Sequence, residues 1–110
     1  MKTRDILSAF GLTLWRSYGR WFACRPNEGP AFAEYSAKSV RKLVEMIVPP
    51  PPATFSPKTI QAWAEECLVA AYGEVNPQFL ANAAFAAYGL SPSPEEFSVF
   101  VDAARAWKRE

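Results

Sequence analysis

The sequence predicts an α+β protein: a small antiparallel sheet of two or three strands with flanking helices, followed by a three-helix bundle. Three observations predict it. Two short apolar runs, Leu12 to Trp15 and Trp21 to Cys24, flank the turn-like segment Arg16-Ser17-Tyr18-Gly19-Arg20. Four consecutive prolines, Pro49 to Pro52, break the chain near its middle. Beyond them Ser56-Pro57, Asn76-Pro77 and Ser93-Pro94 each set a capping side chain before a proline suited to the first helical turn.

In the first unit, residues 1-48, Thr3 is the expected cap of a short helix with Ile6, Leu7 and Phe10 on its apolar side and Gly11 as its stop. The hairpin follows. A loop of two or four residues puts Leu12, Leu14, Trp21 and Ala23 on one face, with Trp15, Phe22 and Cys24 on the other. A three-residue loop ending at Gly19 instead groups Leu12, Leu14, Phe22 and Cys24 against Trp15 and Trp21. Either register leaves large rings on both faces, and one small helix layer cannot cover Trp15, Trp21 and Phe22 together. After the turn cluster Pro26-Asn27-Glu28-Gly29-Pro30, residues Ala31 to Tyr35 read as a third strand, against the alternative of a helix starting early with Pro30 in its first turn. Ser36 is the expected N-cap of a helix over 37-48. Val40, Leu43, Val44 and Ile47 form its apolar stripe, and Lys38, Arg41, Lys42 and Glu45 its polar face.

Proline lacks the N–H a helix needs, so 49-53 is the predicted linker, an extended polyproline II connector holding apart the first unit and a three-helix unit over 54-110. In that second unit the apolar residues keep helical spacing: Ile60, Trp63, Ala64, Cys67, Leu68 and Ala71; then Phe79, Leu80, Ala83, Ala84 and Ala87; then Phe97, Phe100, Val101, Ala104 and Trp107. Gly73 and Gly89 are the expected internal stops, and Ser93 with Glu96 has capping-box spacing. Ala70-Ala71-Tyr72-Gly73 recurs as Ala86-Ala87-Tyr88-Gly89, from which two successive helices are expected to end alike.

Composition bounds the function. At 110 residues, half of them apolar, the chain suits one domain or two small units sharing a core. The apolar stretch Ile6, Leu7, Ala9 and Phe10 is too short for a secretory signal, and no run approaches the roughly 20 apolar residues of a membrane span. A cytoplasmic protein without a membrane partner is expected, in which Cys24 and Cys67 are buried free thiols. There is no histidine, which removes the commonest general base and metal ligand, and two cysteines alone do not complete a zinc site. Glu65-Glu66 and Glu95-Glu96 are adjacent on helices and point about 100° apart, so neither pair converges as a catalytic dyad does. No phosphate-binding glycine loop or nucleophile elbow is present. The sequence therefore points to a protein that is not an enzyme, with no catalytic residue, metal or cofactor.

What remains is binding. Residues 1 to 47 hold eight basic and four acidic side chains, net +4, whereas residues 54 to 110 hold four basic and seven acidic ones, net −3. Opposite signs favour docking of the halves on each other, or an anionic partner for the first. The candidate partner-binding residues are Trp15, Arg16, Tyr18, Arg20, Trp21 and Arg25, since aromatic residues and arginine dominate interface hot spots. The expected function is a protein-protein interaction module, an adaptor or a small inhibitor of a larger bacterial or phage machine. A second copy of the chain is equally compatible as the partner. The alternative is a nucleic-acid accessory protein using the same sheet and the basic helix, with Arg16, Arg20, Arg25, Lys38, Arg41 and Lys42 on phosphates. The order helix, hairpin, helix over residues 3 to 48 resembles the small docking domains of bacterial assembly-line synthases, and the strand-rich reading resembles the arm-binding domains of phage integrases. What the two families share implies a non-enzymatic sheet surface as the contact.

Overall fold

The computed structural model describes residues 2–107. Helix α1 (Thr3–Ala9) precedes a three-stranded antiparallel sheet of order β1-β2-β3: β1 (Thr13–Ser17), β2 (Arg20–Cys24) and β3 (Tyr35–Ala37). Helices α2 (Val40–Ile47), α3 (Pro57–Ala70), α4 (Pro77–Ala87) and α5 (Pro94–Ala106) follow. None of the described helices is long and apolar enough to cross a membrane.

Thr3 does not cap α1. It is the first helical residue, and Lys2 stands at the cap position without a side-chain bond. The far end closes as predicted: Gly11 takes φ +78°, its N–H bonds the Ser8 carbonyl at 2.9 Å, and the Leu12 N–H reaches back to Leu7 at 2.9 Å. This pair of bonds satisfies carbonyls the helix would otherwise leave open.

The hairpin has a two-residue turn, Tyr18-Gly19, with φ of +52° and +74° at its two residues, as a turn matching the twist of the strands requires. Leu14 thus opposes Ala23, Trp15 opposes Phe22, and Arg16 opposes Trp21, which excludes the three-residue alternative.

The third strand is displaced from its predicted place. Pro30 opens a single 3-10 turn, Pro30–Phe32, closed by the Phe32 N–H on the Gly29 carbonyl at 3.0 Å. Proline's fixed φ suits a first helical turn, and extended pairing starts only where the Glu34 N–H meets the Ala23 carbonyl, so β3 begins at Tyr35. Ser36 consequently lies within β3 opposite Phe22 and cannot cap α2. Ser39 does so instead, its Oγ accepting from the Lys42 N–H at 3.2 Å.

The prolines do not hold two halves apart. The Pro49 carbonyl accepts a 2.9 Å bond from Trp63 Nε1, and the Val48 carbonyl accepts the Tyr88 hydroxyl, so this segment lies against the later helices. One continuous core runs from Ile6, Leu7 and Phe10 through Leu43 and Ile47 to Trp63, Phe85 and Phe100. Helix α1 packs on α4, and α3 on α5.

All three later helices start at their Ser-Pro or Asn-Pro pairs. Ser56 with Thr59 and Ser93 with Glu96 form reciprocal capping boxes, and Asn76 Oδ1 accepts from the Gln78 and Phe79 amides. The repeated Ala-Ala-Tyr-Gly ends differ, however. Gly89 closes α4 in the manner of Gly11, with its N–H on Ala86 and Leu90 on Phe85. Helix α3 stops earlier, at Ala70, because the Tyr72 N–H is drawn 3.0 Å to the Phe10 carbonyl at the end of α1. Phe79 also departs from its predicted role. It is 60% exposed on the side of α4 shared with Gln78 and Asn82, while Phe85 enters the core.

Candidate functional site

The pleat sorts the predicted contact residues. Leu14, Arg16, Trp21, Ala23, Tyr35 and Ala37 share the inner face: Ala23 and Ala37 are buried, and Leu14, Trp21 and Tyr35 pack on the core. Thr13, Trp15, Ser17, Arg20, Phe22, Cys24 and Ser36 share the outer face. Trp21 and Trp15 therefore point in opposite directions, and only Trp15 belongs to the outer surface.

Arg16 lies with Trp21 on the inner face, its guanidinium carbon 5.2 Å from the ring centroid. Arg25 is engaged elsewhere. Its Nε sits 2.9 Å from Glu34 Oε1, its guanidinium covers the Tyr72 ring at 4.7 Å, and the Tyr72 hydroxyl donates to Glu34 Oε2 at 3.3 Å. Burial foremost, then Tyr35 and Glu34, push the Tyr72 hydroxyl up to about 12. This cluster ties the sheet to the end of α3.

Three predicted residues remain on or beside the outer face: Trp15, 44% exposed; Tyr18, fully exposed at the turn; and Arg20, which donates to Ser36 Oγ at 3.4 Å. Phe22, half-buried opposite Trp15, extends the patch. Phe32 adds a further ring, 72% exposed, from the 3-10 turn that packs against β1 and β2. The loop carrying that turn also explains why Cys24 is buried although the pleat aims it outward. Its thiol is raised by burial foremost, and further by Glu28 and Glu34 of the same loop. Phe22 was legible from the two-residue register. A strand over Ala31 to Tyr35 sets Phe32 on the face opposite Tyr35, but Phe32 projects instead from the 3-10 turn, which that reading does not contain.

The basic residues do not form one surface. Arg20, Lys38 and Lys42 line a shallow cleft of about 420 Å³ with Ser36, Ser39 and Met46. Arg41 instead borders a separate cleft with Glu45 and Tyr88, and it reaches Glu45 Oε1 at 3.6 Å. With Arg16 over Trp21 and Arg25 on Glu34, the six candidate phosphate contacts divide among several places.

Cys67 is buried like Cys24, its thiol raised by burial foremost and by Glu66, and in both residues burial works against the ionised form that a nucleophile or metal ligand needs. Among the described residues no three His, Cys, Asp or Glu side chains gather where they could hold a metal ion. No protein-family model, curated protein or solved structure matches the chain.

Proposed function

We propose that this protein is a cytoplasmic protein-recognition module, an adaptor or small inhibitor of a larger bacterial or phage machine, whose contact is the outer face of the hairpin. The observation that carries the reading is Trp15: a large ring, nearly half exposed, on a sheet whose other face is fixed to the core, with Phe22, Tyr18 and Arg20 around it. A rigid aromatic loses little conformational freedom on binding, and tryptophan, tyrosine and arginine are the residues that most often dominate interfaces. The net positive charge of this half favours a partner with an apolar pocket and an acidic rim.

The test compares two variants with the unaltered protein. Trp15→Ala and Arg20→Glu are each expected to melt within a few degrees of it, while losing a host protein that it retains and that mass spectrometry identifies. A large fall in melting temperature for Trp15→Ala would make the ring part of the core and remove the reading.

The gathering of Arg20, Lys38 and Lys42 around one cleft favours a second reading, a nucleic-acid accessory role. Phosphate contacts make binding fall steeply with salt, so mobility shifts with single- and double-stranded oligonucleotides at two ionic strengths decide it. Absence of a shift at low salt removes it.

A further inference from the structure

We infer that β1 is a self-pairing edge, through which two copies of the chain join their sheets into one of six strands. The contact is the backbone edge of the strand, whereas the proposed function uses the outer face; Trp15 borders both, and neither reading requires the other. Strand β1 lies at the end of the sheet, and no strand of the described residues pairs with its far side. Proteins usually blunt such edges with proline, lysine, a bulge or a very short strand. Strand β1 has five residues, contains neither proline nor lysine, and pairs one-to-one with β2 without a bulge, so a single charge on the inner face is all that guards it. Its one charge, Arg16, is turned back over its own sheet toward Trp21. The opposite edge, β3, has only three residues.

The register of the joint follows from which backbone groups are free. The Ala23 carbonyl accepts from the Glu34 N–H on the β3 side, so Leu14 and Ala23 are a non-hydrogen-bonded pair of the β1-β2 ladder. Alternation makes Arg16 and Trp21 another. The N–H and C=O groups of Leu14 and Arg16 therefore face the open side. In an antiparallel pairing of two copies these residues must bond each other.

Three centres satisfy that condition. Centring on Arg16 sets two guanidinium groups opposite each other, and centring on Leu14 overlaps only three residues of each strand. Centring on Trp15 overlaps all five, opposes Leu14 to Arg16 and Thr13 to Ser17 of the second copy, and places no like charges opposite. It also sets Trp15 across from its own copy in a non-hydrogen-bonded pair, where side chains are closest and aromatic pairs contribute most. The two outer faces then merge around this pair, as an isologous two-fold contact requires.

Light scattering over a concentration series reads the assembly. The unaltered chain is expected to rise toward twice its monomer mass, and Arg16→Pro to stay monomeric. The Arg16 N–H faces away from β2, so this proline removes no ladder bond within the chain, and circular dichroism checks that it folds. Cysteine cross-linking reads the register independently. In the Trp15-centred pairing Trp15→Cys brings two Cα atoms to about 4.5 Å, within disulfide reach, while Thr13→Cys stays about 14 Å from its own copy. Cys24 and Cys67 are buried and do not compete. Trp15→Cys is expected to form covalent dimers at least tenfold faster than Thr13→Cys, and a mixture of Thr13→Cys with Ser17→Cys to cross-link as well. A chain that stays monomeric throughout, or equal rates for the two single variants, would overturn the proposal. In either case retention of a host protein through Trp15 would leave the proposed function standing.

Discussion

Aromatic side chains gather in two regions of this molecule, and the two are built in opposite senses. In the helical region Trp63 stands edge-on to Phe85 and Phe100, with centroids 5.0 and 5.4 Å away, and Phe55 stacks beside it at 6.3 Å. Its indole N–H is satisfied by the Pro49 carbonyl. In and beside the sheet, Trp15, Phe22, Tyr18 and Phe32 lie on the outer side, while Trp21 and Tyr35 turn toward the core. Ring content does not decide whether a segment is core or contact. What decides is whether packed elements enclose the ring from every side, as helices do for Trp63, or whether a pleat must present alternate residues to the far face.

Truncating one tryptophan in each region separates the two most strongly. Trp63→Ala is expected to cost about 3–5 kcal/mol, by lost transfer energy plus the cavity left behind. For a domain of this size that is a fall in melting temperature of more than about 10 °C, or loss of folding. Trp15→Ala is expected to cost less than about 1 kcal/mol, because much of its ring is already in water. Thermal melts followed by circular dichroism measure both. Similar losses would show that the outer face belongs to the core.

Glycine gives a second contrast. Gly11 and Gly19 both hold positive φ, +78° and +74°, so alanine at either position carries a backbone cost of about 1–2 kcal/mol. At Gly19 the space beyond is empty, and that cost is the whole expectation. A Cβ on Gly11 would stand 2.0 Å from the Tyr72 carbonyl oxygen, a fixed backbone atom. Overpacking there adds about 1–3 kcal/mol. Urea titrations of Gly11→Ala and Gly19→Ala should therefore separate clearly, and coincident midpoints would mean that the seam between α1 and α3 is slack.

Local chemistry made most of the helical region legible in the sequence. A serine or asparagine before proline is a signal contained within two residues, and all three such pairs start helices where expected. The hairpin itself was readable for the same reason, but two registers stayed open in the sequence, and the pairing of Trp15 with Phe22 decides between them. What failed depended on distant parts of the chain. Tyr72-Gly73 copies Tyr88-Gly89 in sequence, yet the Phe10 carbonyl, more than sixty residues earlier, takes the Tyr72 amide and ends α3 by a different route. Ser36 has the chemistry of a cap but is recruited by strand pairing with Phe22. Of the candidate site, alternation set Trp15 on the face opposite Leu12 and Leu14 in either register, and the packing of Leu14 on the core makes that face the outer one. The diversion of Arg25 to Glu34 and Tyr72 was not legible, because its partners come from the next loop and from the segment just past α3.

That cluster is the seam between the two regions, and pH probes it most gently. The Tyr72 hydroxyl, donating to Glu34 beneath the Arg25 guanidinium, is pushed up to about 12 from an ordinary value near 10, with burial the largest cause. Below pH 10 both folded and unfolded chains keep the proton, and its contribution to stability is fully present. Between 10 and 12 the unfolded chain releases the proton while the folded one retains it, so the contribution is lost as pH rises through that window. Burial also raises Tyr88 and both thiols, whose ordinary values are near 10 and 9, so the unaltered protein is expected to begin losing stability above pH 9 and to lose it steeply above pH 10. Tyr72→Phe should cost about 1 kcal/mol at neutral pH, where it removes one hydrogen bond, and should make the alkaline decline shallower. Urea midpoints measured at pH 8, 10 and 11 read both effects. A variant whose decline parallels that of the unaltered protein would place the Tyr72 hydroxyl in water, and the hairpin would then be joined to the helices by the Phe10 to Tyr72 backbone bond and apolar packing without help from this phenol.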